Sequence, residues 1–183
     1  HDATQMPFNT NGLPLMTTSF IPLDQSRIFM AAFERTKNGG YGVYGLDSHT
    51  PNKPERLTIN AGLASPAMVA YQHWIAFVSG TTNLSQRVDD ANLFIMDTNC
   101  IGSAKGCIGT LQQVATQIRA EDNLSWSADG RWLAYVTITG NTSKLNLLDT
   151  TCIWEHRDCT DYTRQLPISS SRYIRPVWRP ALQ

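Results

Sequence analysis

The stretch LSWSADGRWLAYV, Leu124–Val136, decides the fold. Two short apolar runs flank a polar turn in which the Asp129 carboxylate can accept from a backbone N–H two residues on. Gly130, beside it, can take a positive φ, so the segment predicts a tight antiparallel hairpin with Asp129 in a structural role. Downstream, KLNLLDT (Lys144–Thr150) and YTRQLPI (Tyr162–Ile168) supply a third and a fourth strand. Runs rich in Val, Ile, Phe, Tyr and Trp, punctuated by Gly, Asp, Asn, Ser and Pro, are strand-and-turn chemistry, and helical periodicity is absent.

Outward from this hairpin the chain repeats itself. GLASPAMVAYQHWIAFV (Gly62–Val78) sets Trp74 over Trp132, Ala76 over Ala134 and Phe77 over Tyr135. NLFIMDT (Asn92–Thr98) matches KLNLLDT, GVYGLDS (Gly42–Ser48) matches it more loosely, and YIRPVWRP (Tyr173–Pro180) places Trp178 over Trp126. Four-stranded units recurring at about fifty residues point to β-propeller blades, since one such unit cannot cover its own faces without neighbours. The expected fold is therefore all-β: antiparallel blades A to D over 13–59, 63–116 and 121–168, with flanking strands at 4–9 and 172–178, all in one segment spanning 1–183. That tally of strands does not close a ring.

LSWSADGRWLAYV followed by KLNLLDT resembles the TolB-type propeller repeat. The resemblance rests on the Trp-Ser-x-Asp-Gly-Arg turn, the aromatic-Ala-aromatic strand and the terminal Asp, with Ala128 where that repeat usually has proline. The first unit, with FIPLDQSRIFMAAF, and the second, without an Asp-Gly turn, are more degenerate. The resemblance implies a propeller and says little of activity, since propellers host many functions.

DTNCIGSAKGC (Asp97–Cys107) and DTTCIWEHRDC (Asp149–Cys159) carry Asp, Thr and both cysteines at the same places. A four-cysteine zinc site would need every sulfur about 2.3 Å from one ion. Equivalent outer loops of adjacent blades diverge by more than the ~10 Å that separates stacked sheets. Two local disulfides, Cys100 with Cys107 and Cys152 with Cys159, are expected in the C-to-D connections. Such bonds persist in oxidising compartments, so a periplasmic, cell-surface or secreted protein is expected.

A chain of 183 residues, 42% hydrophobic, can bury a core, and its zero formal charge argues against nucleic-acid binding, which needs an excess of Lys and Arg. No apolar run approaches the ~18 residues of a membrane span, so membrane insertion is not expected, and the start at His1 fits a removed signal peptide. No Gly-x-Ser-x-Gly segment is present, and His1, His49, His73 and His156 show no metal-ligand spacing. We therefore expect no catalytic residues, no metal and no cofactor. His73 reads as a turn or edge residue and His156 as part of a solvated loop.

Strand alternation gathers the A-to-B turns and C-to-D loops at one face. The opposite face collects Arg35, Lys37, Arg87, Asp89, Asp90, Arg119, Glu121, Asp122, Arg172 and Tyr173, including the long loop Ser79–Asn92. Loops on a rigid scaffold commonly carry binding residues, and these are the binding-face candidates; the plain alternative is that they are solvated connections. Asp89, Asp90, Glu121 and Asp122 would offer oxygen ligands to Ca²⁺, without the spacing of a known loop. Asn83, Asn123 and Asn141 sit in glycosylation acceptor triplets. The expected function is a non-catalytic scaffold for a protein partner or for further copies of itself, as an oligomer or open filament. The rival readings are a propeller like the gating domain of prolyl-oligopeptidase-type peptidases and a glycan-binding propeller.

Overall fold

The computed structural model describes residues 15–22, 27–34, 40–47, 55–56, 68–80, 91–100, 107–118, 124–170 and 176–178. The protein is all-β with antiparallel pairing throughout. The first unit contains β1 (Leu15–Pro22), β2 (Arg27–Glu34), β3 (Gly40–Asp47) and the two-residue β4 (Glu55–Arg56). The second contains β5 (Met68–Tyr71), β6 (Trp74–Gly80), β7 (Ala91–Asp97) and β8 (Gln112–Ile118). The third contains β9 (Leu124–Trp126), β10 (Trp132–Thr139), β11 (Thr142–Asp149), the single turn α1 (Thr151–Trp154) and β12 (Thr163–Ser170). Each unit is a meander in which consecutive strands pair, as blades of this kind require.

The hairpin over Ser127–Trp132 forms as its residues dictate. Asp129 Oδ1 accepts from the Arg131 N–H at 3.1 Å and from Ser127 Oγ at 2.6 Å, and Gly130 adopts φ +70°. A Cβ at Gly130 would also run into the Tyr71 ring from the second unit, so only glycine satisfies both the turn and the packing. The second unit lacks Asp-Gly at this place and closes β5 onto β6 with a two-residue turn in which Gln72 takes φ 51°.

In β6 the side chains alternate between two buried faces, which accounts for the unbroken apolar run WIAFV. Trp74, Ala76 and Val78 join a core shared with Leu124, Leu133, Tyr135 and Leu148 of the third unit. Ile75 and Phe77 pack with Met96 and Cys107 on the other face. The larger core therefore lies between the second and third units. The three-residue β9 ends its pairing at Tyr135, and beyond it Ile118 of β8 bridges Thr137 of β10, so the second and third units join into one eight-stranded sheet.

The flanking strand expected at 4–9 lies outside the described residues. Of the one expected at 172–178, the described part, 176–178, has no strand pairing. Trp178 nevertheless takes the place the repeat predicts: its indole N–H donates to the Ser125 carbonyl at 2.8 Å, as Trp126 donates to the Val69 carbonyl at 3.4 Å. Ser125 and Val69 are equivalent positions, pairing with Ala134 and Ala76 respectively.

Candidate binding cleft

Both cysteine pairs are disulfides within their own loops, Cys100–Cys107 with Cα atoms 4.9 Å apart and Cys152–Cys159 at 5.3 Å. Each staple closes the connection from the third to the fourth strand of its unit. The Asp-Thr that precedes each pair has a job that the repeat signals but does not explain. Asp97 Oδ1 accepts from the Asn99 N–H at 2.9 Å, and Asp149 Oδ1 accepts from the Thr151 N–H at 3.1 Å and hydroxyl at 2.8 Å, which turns the chain into the loop. The buried threonine that follows anchors the loop to the first hairpin turn of its unit. The Thr98 N–H and hydroxyl donate to the His73 carbonyl, and those of Thr150 donate to the Arg131 carbonyl at 2.9 Å. Turn and stapled loop thus share one rim in both units, as alternation predicts.

The stapled loop of the third unit meets strands of the second across the boundary between units. Trp154, on α1, packs edge-on against Trp74 with ring centroids 5.4 Å apart and against Tyr71 at 6.4 Å, while its own N–H donates to Thr150 Oγ1 at 3.0 Å. From the other side, Gln112 Nε2 donates to the Arg157 carbonyl at 3.1 Å. Between them lies a cleft of about 460 Å³, bounded by Trp74, Asp97 and the segment Gly109–Gln112 on one side and by Ile153 and His156–Asp158 on the other.

The charges in this cleft are individually held. Asp158 Oδ1 accepts from the Thr160 hydroxyl at 2.7 Å and N–H at 2.9 Å, and these bonds, the hydroxyl's first, hold its carboxyl below the usual range and keep it ionised. The Arg157 guanidinium donates to the Tyr162 hydroxyl at 3.2 Å and lies 3.2 Å from Glu155, which together raise its pKa. His156 is exposed with φ 53°, the solvated loop residue expected, and His73 sits in the turn between β5 and β6. Trp74 is only 7% exposed, and its indole N–H has no hydrogen-bond partner among the described residues.

The binding-face candidates Arg35, Lys37, Arg87, Asp89, Asp90, Arg119, Glu121, Asp122, Arg172 and Tyr173 all lie outside the described residues, as do Asn83 and Asn123. The cleft was missed in the sequence because its lining comes from non-equivalent positions of two units. The visible signal was the shared rim of the two cysteine loops.

No family model matches this chain, and no curated protein matches it. Among solved structures, TolB from Acinetobacter baumannii is similar at 16% identity, with a TM-score of 0.33 over 86% of this chain. The chain spans 44% of the length of that protein.

Proposed function

We propose that this chain is a non-catalytic scaffold of propeller blades in an extracytoplasmic protein, and that its rims hold a protein partner or further copies of the chain. The observation that carries the reading is the pair of formed disulfides at equivalent loops of adjacent units. Local staples of this kind belong to oxidising compartments, and they fix loop shape before any partner arrives, which lowers the ordering cost of binding. Among the described residues no helix is long and apolar enough to cross a membrane.

The test begins with the purified, disulfide-intact chain. Proteins captured with it from its own compartment are each purified and titrated back. A stoichiometric complex is expected, weakened when Arg87, Asp89 and Asp90 are replaced together while the melting midpoint stays in place. Self-association seen by light scattering would assign the rims to copies of the chain. A monomer that reconstitutes with no purified protein, or a chain that hydrolyses peptide substrates, would overturn the reading.

A further inference from the structure

The residues of the second unit that hold its neighbour's stapled loop have equivalents one unit on. Trp74, with the His73 ring beside it at 5.3 Å, receives the edge of Trp154 at 5.4 Å, and Gln112 donates to the Arg157 carbonyl at 3.1 Å. Strand register fixes the matching set. Trp132 pairs with Asp149 as Trp74 pairs with Asp97, and Arg164 pairs with Leu147 as Gln112 pairs with Ile95. In the third unit His73, Trp74 and Gln112 are therefore replaced by Arg131, Trp132 and Arg164. Among the described residues no ring from another unit packs on Trp132, which is half-buried, and the guanidiniums of Arg131 and Arg164 lie over its own ring at 5.4 and 5.8 Å.

A guanidinium stacked on an indole spends its face and keeps its N–H edge free and oriented. Arg131 gives part of that edge to Asp149 at 3.4 Å. The exposed Arg164 guanidinium makes no ion pair or hydrogen bond among the described residues. Where Gln112 is satisfied by a backbone carbonyl, an arginine fork matches a carboxylate, so the exchange changes the chemistry of what this place receives. A run of phosphates suits it poorly: Asp149 already stands against Arg131, and Asp129 lies two residues before it, so a polyanion would meet carboxylates at once. We infer that Arg131, Trp132 and Arg164 form a docking face for an acidic loop of a partner protein, with a carboxylate on Arg164 and the loop's apolar flank on Trp132. Continuity with the boundary between the second and third units carries the place, and charge complementarity carries the partner. The inference rests on the proposed protein-contact role and gives that role a location and a chemistry.

The experiment titrates the intact chain, to about 1 mM, with a short fluorescent peptide rich in Glu and Asp and carrying one Trp, read by anisotropy. The same peptide with Gln and Asn in place of its acids, a single-stranded DNA oligonucleotide and inorganic phosphate form the contrasting arms. The acidic peptide should bind, more weakly as salt rises, and Arg164→Gln should weaken it about tenfold, the loss expected when a hydrogen bond between charged groups goes. That variant installs the residue the second unit carries at this place, on an exposed strand position, so the melting midpoint should hold; a variant that melts early is replaced by Arg164→Met. Absence of acidic-peptide binding, binding indifferent to Arg164→Gln, or equal binding of the neutral peptide, the oligonucleotide or phosphate would each overturn the proposal. A purified natural partner whose complex survives Arg164→Gln unchanged would also overturn this docking face while leaving the scaffold reading in place.

Discussion

The second and third units carry the same Asp-Thr-x-Cys pattern, and among the described residues the third unit places aromatic side chains against its neighbour at positions where the second unit's sequence has small residues. Trp154 stands two residues after Cys152, where the second unit has Gly102, and Trp126 occupies the β9 position that Ala70 fills in β5. Both tryptophans turn toward Tyr71 or Trp74 of the preceding unit. The same cysteine spacing therefore coexists with very different side chains at these two positions. The repeat specifies each blade, and the departures from it specify how adjacent blades adhere.

That contrast can be broken most sharply at Trp154. Trp154→Ala should cost about 3 kcal/mol in chemical denaturation, in the range for large-to-small changes within an aromatic cluster, and should leave the Cys152–Cys159 bond formed. A loss below about 0.5 kcal/mol, the size of an ordinary surface change, would mean the inter-unit aromatics are ornamental. Opening the staples comes next. Cys100→Ser with Cys107→Ser and Cys152→Ser with Cys159→Ser relax loops of equal span, so chain entropy alone assigns each about 2.5 kcal/mol. Cys152 and Cys159 are both buried in the larger core, so their removal should cost the more, and equal losses would reduce both bonds to loop closure. Gly130→Ala follows at about 2 kcal/mol, combining the positive φ with the approach of the Tyr71 ring. A companion Tyr71→Ala background should remove the steric share and leave the backbone share.

The smallest effect concerns Asp149. Burial raises its carboxyl, but the Thr151 hydroxyl, the Thr151 N–H and the Arg131 guanidinium together outweigh that and leave it below its ordinary value of 3.8. A group that ionises more readily when folded adds stability that is present above its unfolded value and is lost as pH falls through the folded one. The stability gap between the parent and Asp149→Asn should thus stay flat near neutrality, below about 1 kcal/mol because Arg131 is largely exposed, and close in acid below 3.8. A gap that widens in acid would contradict the assigned hydrogen bonds.

Local chemistry made much of this legible in the sequence. Asp129 and Gly130 announce a turn by their own side-chain and backbone preferences, and the cysteine spacing announces a staple once the loop is placed between strands. The repeat pointed to Thr98 and Thr150 without revealing that their hydroxyls hold each loop to the first turn, because that contact spans some twenty residues. The turn at Gln72 was harder to read, since a non-glycine residue carries a positive φ that its type does not advertise. The cleft escaped because Gln112 and the Arg157 carbonyl meet only after two blades are set side by side. The candidates of the opposite face, Arg87 and Asp89 among them, lie outside the described residues.

The indole-to-carbonyl bonds of Trp126 and Trp178 have one further consequence. When the same donor meets the equivalent acceptor at successive repeats, neighbouring repeats are tied by the same bond, and the array behaves as a chain of nearest-neighbour couplings. Where Ala70 replaces the indole, that coupling is missing. Unfolding then need not be all-or-none: heat or denaturant should uncouple the chain at the boundary ahead of β5 before the pair of units from β5 to β12 comes apart. Native-state hydrogen exchange should show two opening free energies, with the β2–β3 amides exchanging ahead of those in β6 and β10.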